Sequence, residues 1–284
     1  MLIDMHVHPI FYDAIAEEGE ELEFRKDAFG VWKQGPMGFD EIFAEWDICG
    51  VDAAALLPLD LTTTEGGCII TNDQIAQVCA LYPERFFGFA SVDPHREDAE
   101  QELERAFGEL GLRGLALHPG KQGFDPASEI AEPLYALCER YDRPVIFDAG
   151  LSWEPGAKLA AGSPLVFEPV AAAHPSLRIC LSHFAWPWVR EMCALMLKYP
   201  NVYTDTALLY VDTPEEQMQE LFCTDMGPRW FERCFPEQVM FGSNTPRFRT
   251  FKIKRALDAV PMRDFARKNL YGDNALRFLG IKEG

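Results

Sequence analysis

Residues 2–9 read Leu2-Ile3-Asp4-Met5-His6-Val7-His8-Pro9, an apolar run that carries two histidines two positions apart and stops at a proline. The run reads as a β-strand and the proline as its end. In an open, doubly wound sheet the turn after the first strand would normally carry GxGxxG; here it carries HVHP, so a closed barrel is the preferred architecture. Side chains i and i+2 of a strand lie on one face, so His6 and His8 are expected to point together into the barrel mouth, where two imidazoles can share one metal ion. Alone, such a pair is equally well two unrelated polar residues, and its weight depends on what the other strands offer.

Seven further β-branched or aromatic runs follow: Ala53–Leu57, Phe86–Ala90, Gly114–Leu117, Val145–Phe147, Arg178–Leu181, Val202–Thr204 and Gln238–Phe241. With the first they make eight, the number of a (β/α)8 barrel. Between them lie stretches with apolar residues every three or four positions, among them Phe39–Cys49, Asn72–Tyr82, Arg96–Leu110, Ala131–Tyr141 and Val189–Tyr199. These predict helical crossovers. The expected fold is therefore α/β, one barrel domain over residues 1–284. It carries an acidic insertion at about 12–37, either a lid or an exposed loop, and extra helices at about 206–237.

Composition narrows the function classes. The 284 residues carry a formal charge of −19, with 48% hydrophobic and 25% charged side chains, which excludes disorder and a small disulfide scaffold. So acidic a chain lacks the field that neutralises phosphates, so nucleic acid is not an expected partner. The eight cysteines are scattered, form no CxxC pair and read as reduced core thiols. No apolar stretch approaches a membrane span and no leader pattern opens the chain, so a cytoplasmic location is expected.

The strand ends are unusually polar: Ser91 and Asp93 after the third, His118 after the fourth, Asp148 after the fifth, Ser182 and His183 after the sixth, Asp205 after the seventh, Ser243 and Asn244 after the eighth. Active sites of such barrels are built at these ends. Asp148 follows an apolar strand, so its carboxylate needs a partner, a metal or a proton. His118, in a Pro-Gly turn, is expected to meet substrate or support the site and not to bind metal. Asp205 either caps the next segment or holds a histidine's second nitrogen. His95 and His174 read as structural.

At these residues the chain resembles the amidohydrolase-related branch of the amidohydrolase superfamily, which includes aminocarboxymuconate semialdehyde decarboxylase and related carboxy-lyases and hydrolases. The resemblance rests on the ordered blocks IDMHVHP, GLRGLALHPGKQGFDP, RPVIFDAG, LSHFAWPWV, YPNVYTDT, FGSNTPRF and DNALRFLGI. It implies a distorted (β/α)8 barrel with one divalent metal, usually zinc, on the HxH pair, a fifth-strand His and an eighth-strand Asp, with a sixth-strand His assisting. His6, His8 and His183 match that pattern. Asp148 stands where His is expected and Asn244 where Asp is expected. An amide is no general base, but the carboxylate has moved from strand eight to strand five, so a two-His, one-carboxylate site remains. The expected ligands are His6, His8 and Asp148, with Asn244 giving a carbonyl contact or bonding the metal water and His183 as acid or base. Zinc is favoured; manganese and iron are compatible.

Arg247, just beyond strand eight, is expected to anchor a small anionic substrate, and Trp186 to wall the site opposite Phe11 and Tyr12. The expected activity is a metal-dependent hydrolase of a small carboxylic-acid-containing ester, lactone or amide, with Asp148 or His183 moving the proton. The alternatives are a non-oxidative decarboxylase of an unsaturated or aromatic acid and a metal-free or inactive ligand-binding barrel. A homodimer is expected by analogy.

Overall fold

Each of the eight expected runs forms a strand in the computed structural model, which describes residues 1–152, 158–207, 213–227 and 229–281. The barrel strands are β1 (Ile3–Val7), β2 (Ala53–Leu56), β5 (Phe86–Gly88), β6 (Leu115–Leu117), β7 (Val145–Phe147), β8 (Ile179–Leu181), β9 (Val202–Asp205) and β10 (Val239–Met240). They pair in parallel as β1-β2-β5 and β6-β7-β8-β9-β10. Backbone bonds close both seams. Ala90 N–H reaches Gly114 O and Ala116 N–H reaches Ala90 O, both at 2.7 Å; His8 N–H reaches Thr245 O at 2.8 Å and Asn244 N–H reaches His6 O at 3.0 Å. The chain is thus a distorted (β/α)8 barrel, with no sheet edge left along the ring.

The helices are α1 (Glu20–Phe29), α2 (Phe39–Cys49), α3 (Asn72–Leu81), α4 (Ala99–Gly108), α5 (Pro119–Gln122), α6 (Glu132–Arg140), α7 (Glu168–Ala173), α8 (Val189–Lys198), α9 (Pro214–Gln219), α10 (Trp230–Cys234), α11 (Thr250–Asp258), α12 (Asp264–Lys268) and α13 (Asn274–Phe278). Thr71 starts α3 with a reciprocal pair: its hydroxyl accepts from Gln74 N–H, and the Gln74 side chain returns a bond to Thr71 N–H. One element was not expected, the antiparallel hairpin β3 (Leu59–Leu61) with β4 (Gly67–Ile70) after β2. The acidic insertion holds α1, whose first turn carries Glu20, Glu21 and Glu23 and which ends at Gly30 with φ 73°. The extra helical cover includes α9 and α10, and its residues 208–212 and 228 lie outside the described residues.

Two apolar layers hold the barrel. Inside, Ile3, Met5, Ala55, Leu57, Phe89, Ala116, Ile146, Cys180, Tyr203 and Met240 form one buried cluster that Ala275, Phe278 and Leu279 complete. Outside, alternate residues such as Leu2, Val7, Ala54 and Leu56 pack on the helices. Burying one such side chain contributes about 1.5–3 kcal/mol, and a filled interior leaves the strand ends as the place for chemistry. All eight cysteines are free. Among the described residues no helix is long and apolar enough to cross a membrane.

His174 joins α7 to α6 through Glu139 at 3.0 Å and Glu132 at 3.2 Å. Burial opposes its charge, but the two carboxylates prevail and its ionisation shifts up from 6.5. A raised folded value makes this contribution complete below the unfolded value and removes it as pH rises through the folded one. Urea denaturation at about pH 5.5 and about pH 9 is expected to show a larger stability advantage of the parent over His174→Gln at the lower pH. An equal advantage at both would mean that the ring serves only as neutral filler.

Candidate active site

The mouth of the barrel is reached by counting two residues past the inner layer. Ala116 leads to His118, Ile146 to Asp148 and Tyr203 to Asp205; from Met240 the same face runs through Gly242 to Asn244. Two places break the count. In β1 the pairing with β2 slips by one residue between Asp4 and Val7. Ile3 and Met5 therefore fill the interior while His6 and His8, in opposite phase, still reach the site. After β8 the count from Cys180 lands on Ser182, and His183 enters because His183, Phe184 and Ala185 are left-handed, with φ of 61°, 52° and 47°. Non-glycine residues adopt that conformation at a cost and tend to cluster where function needs it. Gly242 makes room beneath: a Cβ there would lie 3.0 Å from that of His6 and 3.3 Å from that of Asp205.

Asp205, fully buried, does the second of the two things its position allowed. Its Oδ2 accepts from His6 Nδ1 at 2.9 Å, and its Oδ1 accepts from the backbone N–H of His183 at 2.8 Å and of Ala207 at 3.1 Å. His6, His183 and Asp205 offer ligand atoms within 4.8 Å of one another. Asp205 accepts three bonds, one of them from His6 Nδ1, and so orients the histidines. His8 Nδ1 donates to Leu57 O at 3.1 Å. Both histidines thus turn an unprotonated Nε2 outward, and these two atoms face each other at 3.2 Å. Two lone pairs at that range repel unless a cation lies between them; nitrogens about 2.1 Å from one shared ion are about 3.0–3.4 Å apart for octahedral to tetrahedral angles. The donor set fits a metal.

Asp148 lies opposite. Its Oδ2 is 3.2 Å from His183 Nε2 and its Oδ1 is 3.4 Å from His118 Nε2. Burial opposes its ionisation, but His118 and His183 outweigh burial and hold it well below the usual carboxylate range. His183 donates from Nδ1 to Ala207 O; burial works against its charge, Asp148 overcomes this, and its ionisation shifts up. His8 shifts far down, through burial and then the neighbouring His6. Beneath them Asp4 is pushed up to about 7 by burial, against the hydrogen bonds it accepts from Ser243 N–H at 2.9 Å and His6 N–H at 3.2 Å. That clasp ties β1 to the end of β10.

His8, His118, Asp148, His183, Asn244 and Arg247 line one cavity of about 550 Å³ including its open mouth. Asp148 is the single carboxylate among its described lining residues. The expected wall residue Trp186 is not part of this lining: the left-handed turn before it sends its indole against the apolar core and its carbonyl to Leu151 N–H at 2.7 Å. Phe11 and Tyr12 line a neighbouring cavity on another side of His8. The aromatic of the site is Phe29 of α1, 4.7 Å ring to ring from His8. Sequence reasoning also missed Lys121 of α5, which lines the cavity. Its signal was a lysine three residues after His118 in a chain with only 26 basic residues.

The amidohydrolase family model matches residues 3–281. The chain is 24% identical over 246 residues to a 2-amino-3-carboxymuconate-6-semialdehyde decarboxylase from Dictyostelium discoideum, covering 74% of this chain and 65% of the relative. It is 29% identical over 145 residues to a gamma-resorcylate decarboxylase from Rhodococcus jostii, covering 39% of this chain and 43% of that protein. The matched part thus spans less than two thirds of either relative. A dihydroxybenzoic acid decarboxylase from Polaromonas sp. JS666, solved with manganese and 2-nitroresorcinol, superposes with a TM-score of 0.70 at 16% identity, over 100% of this chain and 98% of that one, and shows the shared fold. These relatives correct the expected hydrolase: both are decarboxylases. With its model running from the first strand to the last helix, the chain belongs to the amidohydrolase family.

Proposed function

We propose that the protein is a non-oxidative decarboxylase of a small unsaturated or aromatic carboxylic acid. The observation that carries this reading is the engagement of the cavity's one described carboxylate. Asp148 has an oxygen against each of two histidines, and Asn244 holds the position where a hydrolytic base would stand. Hydrolysis needs a base to take a proton from water, whereas decarboxylation needs an acid to deliver one to carbon.

His183 supplies that acid. With Nδ1–H committed to Ala207 O, its exchangeable proton sits on Nε2, which lines the cavity. As the carbon–carboxylate bond breaks, the electron pair stays on the substrate carbon, carbon dioxide departs, and the Nε2 proton passes to that carbon. Asp148 and Asp205 keep the imidazolium charged, and the bond to Asp148 aims it. Arg247 faces the same cavity as a cationic anchor for a small anionic substrate.

His6 and His8, through Nε2, and Asp148 would hold one divalent metal ion, with the Asn244 side chain beside it; imidazole and carboxylate donors suit manganese and zinc. Such an ion supplies Lewis-acid polarisation of a substrate oxygen and support for developing negative charge. Asp205, by fixing His6, positions this set.

Metal-loaded protein is expected to release carbon dioxide from acids of the 2,6-dihydroxybenzoate or carboxymuconate type; a panel of such acids without release would reject the decarboxylase, and binding without turnover would restore the ligand-binding barrel. His183→Asn should lower kcat by about 10²- to 10⁴-fold with metal content retained. Elemental analysis of Asp148→Ala should show metal lost, and equal content in parent and variant would remove Asp148 from the ligands. Asp205→Ala should weaken metal affinity by about 10- to 100-fold.

A further inference from the structure

His8 also lines a second cavity, of about 830 Å³ including its opening, between the insertion, α2 and the segment that follows β10. Its walls are tied to one another. Met37 N–H donates to Phe11 O at 2.6 Å, Asp13 N–H donates to Met37 O at 3.1 Å, and Gln34 Nε2 donates to Pro246 O at 3.0 Å. The charged side chains of the described lining, Glu45 and Arg249, neutralise each other at 2.9 Å. Two hydrogen-bond donors stay open in this apolar setting. Tyr12 and Trp46 are 5% and 3% exposed and both line the cavity, yet neither the phenol O–H nor the indole N–H has an acceptor among the described residues. Both rings pack on Phe86, with centroids 5.9 and 5.7 Å away, so the two donors belong to one wall. Burial, and then Asp4, push the ionisation of Tyr12 up, so its phenol stays neutral.

A buried donor without an acceptor is costly, and folded proteins rarely keep one. A ligand oxygen that accepts from Tyr12 and Trp46 removes that cost, and a carbonyl oxygen has lone pairs for both. Around these donors the lining is apolar, with Phe11, Met37 and Ile42 among it. Aromatic and thioether walls favour a flat ring, through edge, offset and sulfur contacts. The Glu45–Arg249 pair leaves nothing to compensate an anion, in contrast to the catalytic cavity with Lys121 and Arg247. We propose that this cavity is a second binding site, for a neutral aromatic molecule that carries a carbonyl oxygen, with Tyr12 and Trp46 as the donors that select it. The proposal does not depend on the decarboxylase reading, because neither the acid His183 nor the anchor Arg247 takes part in it. Through His8, which lines both cavities, the occupant borders the metal site from outside the substrate cavity.

The test titrates indanone and indane, which differ by a carbonyl in place of a methylene, into zinc-loaded, nitrogen-labelled protein. The six indole N–H signals report where they bind, that of Trp46 being assigned from a Trp46→Phe spectrum. Indanone is expected to bind about 5- to 20-fold more tightly than indane and to shift the Trp46 signal more than any other indole. Tyr12→Phe, which keeps the ring and removes the hydroxyl, should erase most of that preference while leaving indane affinity within about twofold. Saturating benzoate, a probe for the cationic cavity, should leave indanone bound. Melting curves check that Tyr12→Phe is folded; if it is not, the Trp46 shift and the benzoate competition in the parent decide. Equal affinities for indanone and indane would mean that water already satisfies the donors, and would overturn the proposal. So would a preference that survives Tyr12→Phe, a largest shift at another indole, displacement of indanone by benzoate, or no binding of either probe.

Discussion

Asp205 sits in a fully buried position at the end of β9 and has every one of its bonds directed at other parts of the site. One oxygen fixes the tautomer of His6 on β1; the other holds the backbone on which His183 leaves β8. A buried carboxylate is tolerated only when it is paired and hydrogen-bonded, so those two segments cannot drift from β9 without exposing an unsatisfied charge. The outward Nε2 of His6, its contact with His8 and the orientation of His183 follow from that constraint. Asp4 repeats the device beneath, joining the β1 bulge to Ser243.

The electrostatics above this frame invert those of the molecule. The chain carries a charge of −19, yet the described cavity lining has one carboxylate against Lys121, Arg247 and three histidines. Local placement, and not net charge, decides what such a cavity attracts. The acidic insertion takes part in this arrangement by structure and not by charge: it turns α1 so that the dipolar end with free carbonyls, and not its acidic first turn, faces the cations. A single element thereby walls the cavity with Phe29 and sets its last carbonyls on Lys121 and Arg247.

Much of this was legible in the order of residues. Eight β-branched or aromatic runs, separated by stretches with apolar residues every three or four positions, announce the barrel because strand preference and helical pitch are local consequences of backbone geometry. The strand-end polar residues at 118, 148, 205 and 244 could be read for the same reason, since each lies two residues past an inner apolar position or continues its face. Trp186 was misplaced because a left-handed turn, not visible in residue type, redirects the chain after His183. Phe29 was missed because it comes from an insertion distant in sequence from the histidines, and Lys121 because only the four-residue helix after His118 turns it into the cavity.

The sequence by itself determined the barrel, the family and the set of groups available for chemistry, since these depend on periodicity and on which side chains end each strand. Tertiary structure alone decided which nitrogens are bare, which carboxylate orients and which one faces the cavity, and what rests on the cations. Those are contacts between residues far apart in the chain, 199 for His6 with Asp205 and 218 for Arg247 with Phe29, and they exist only once the ring closes and the one-residue slip in β1 sets its phase.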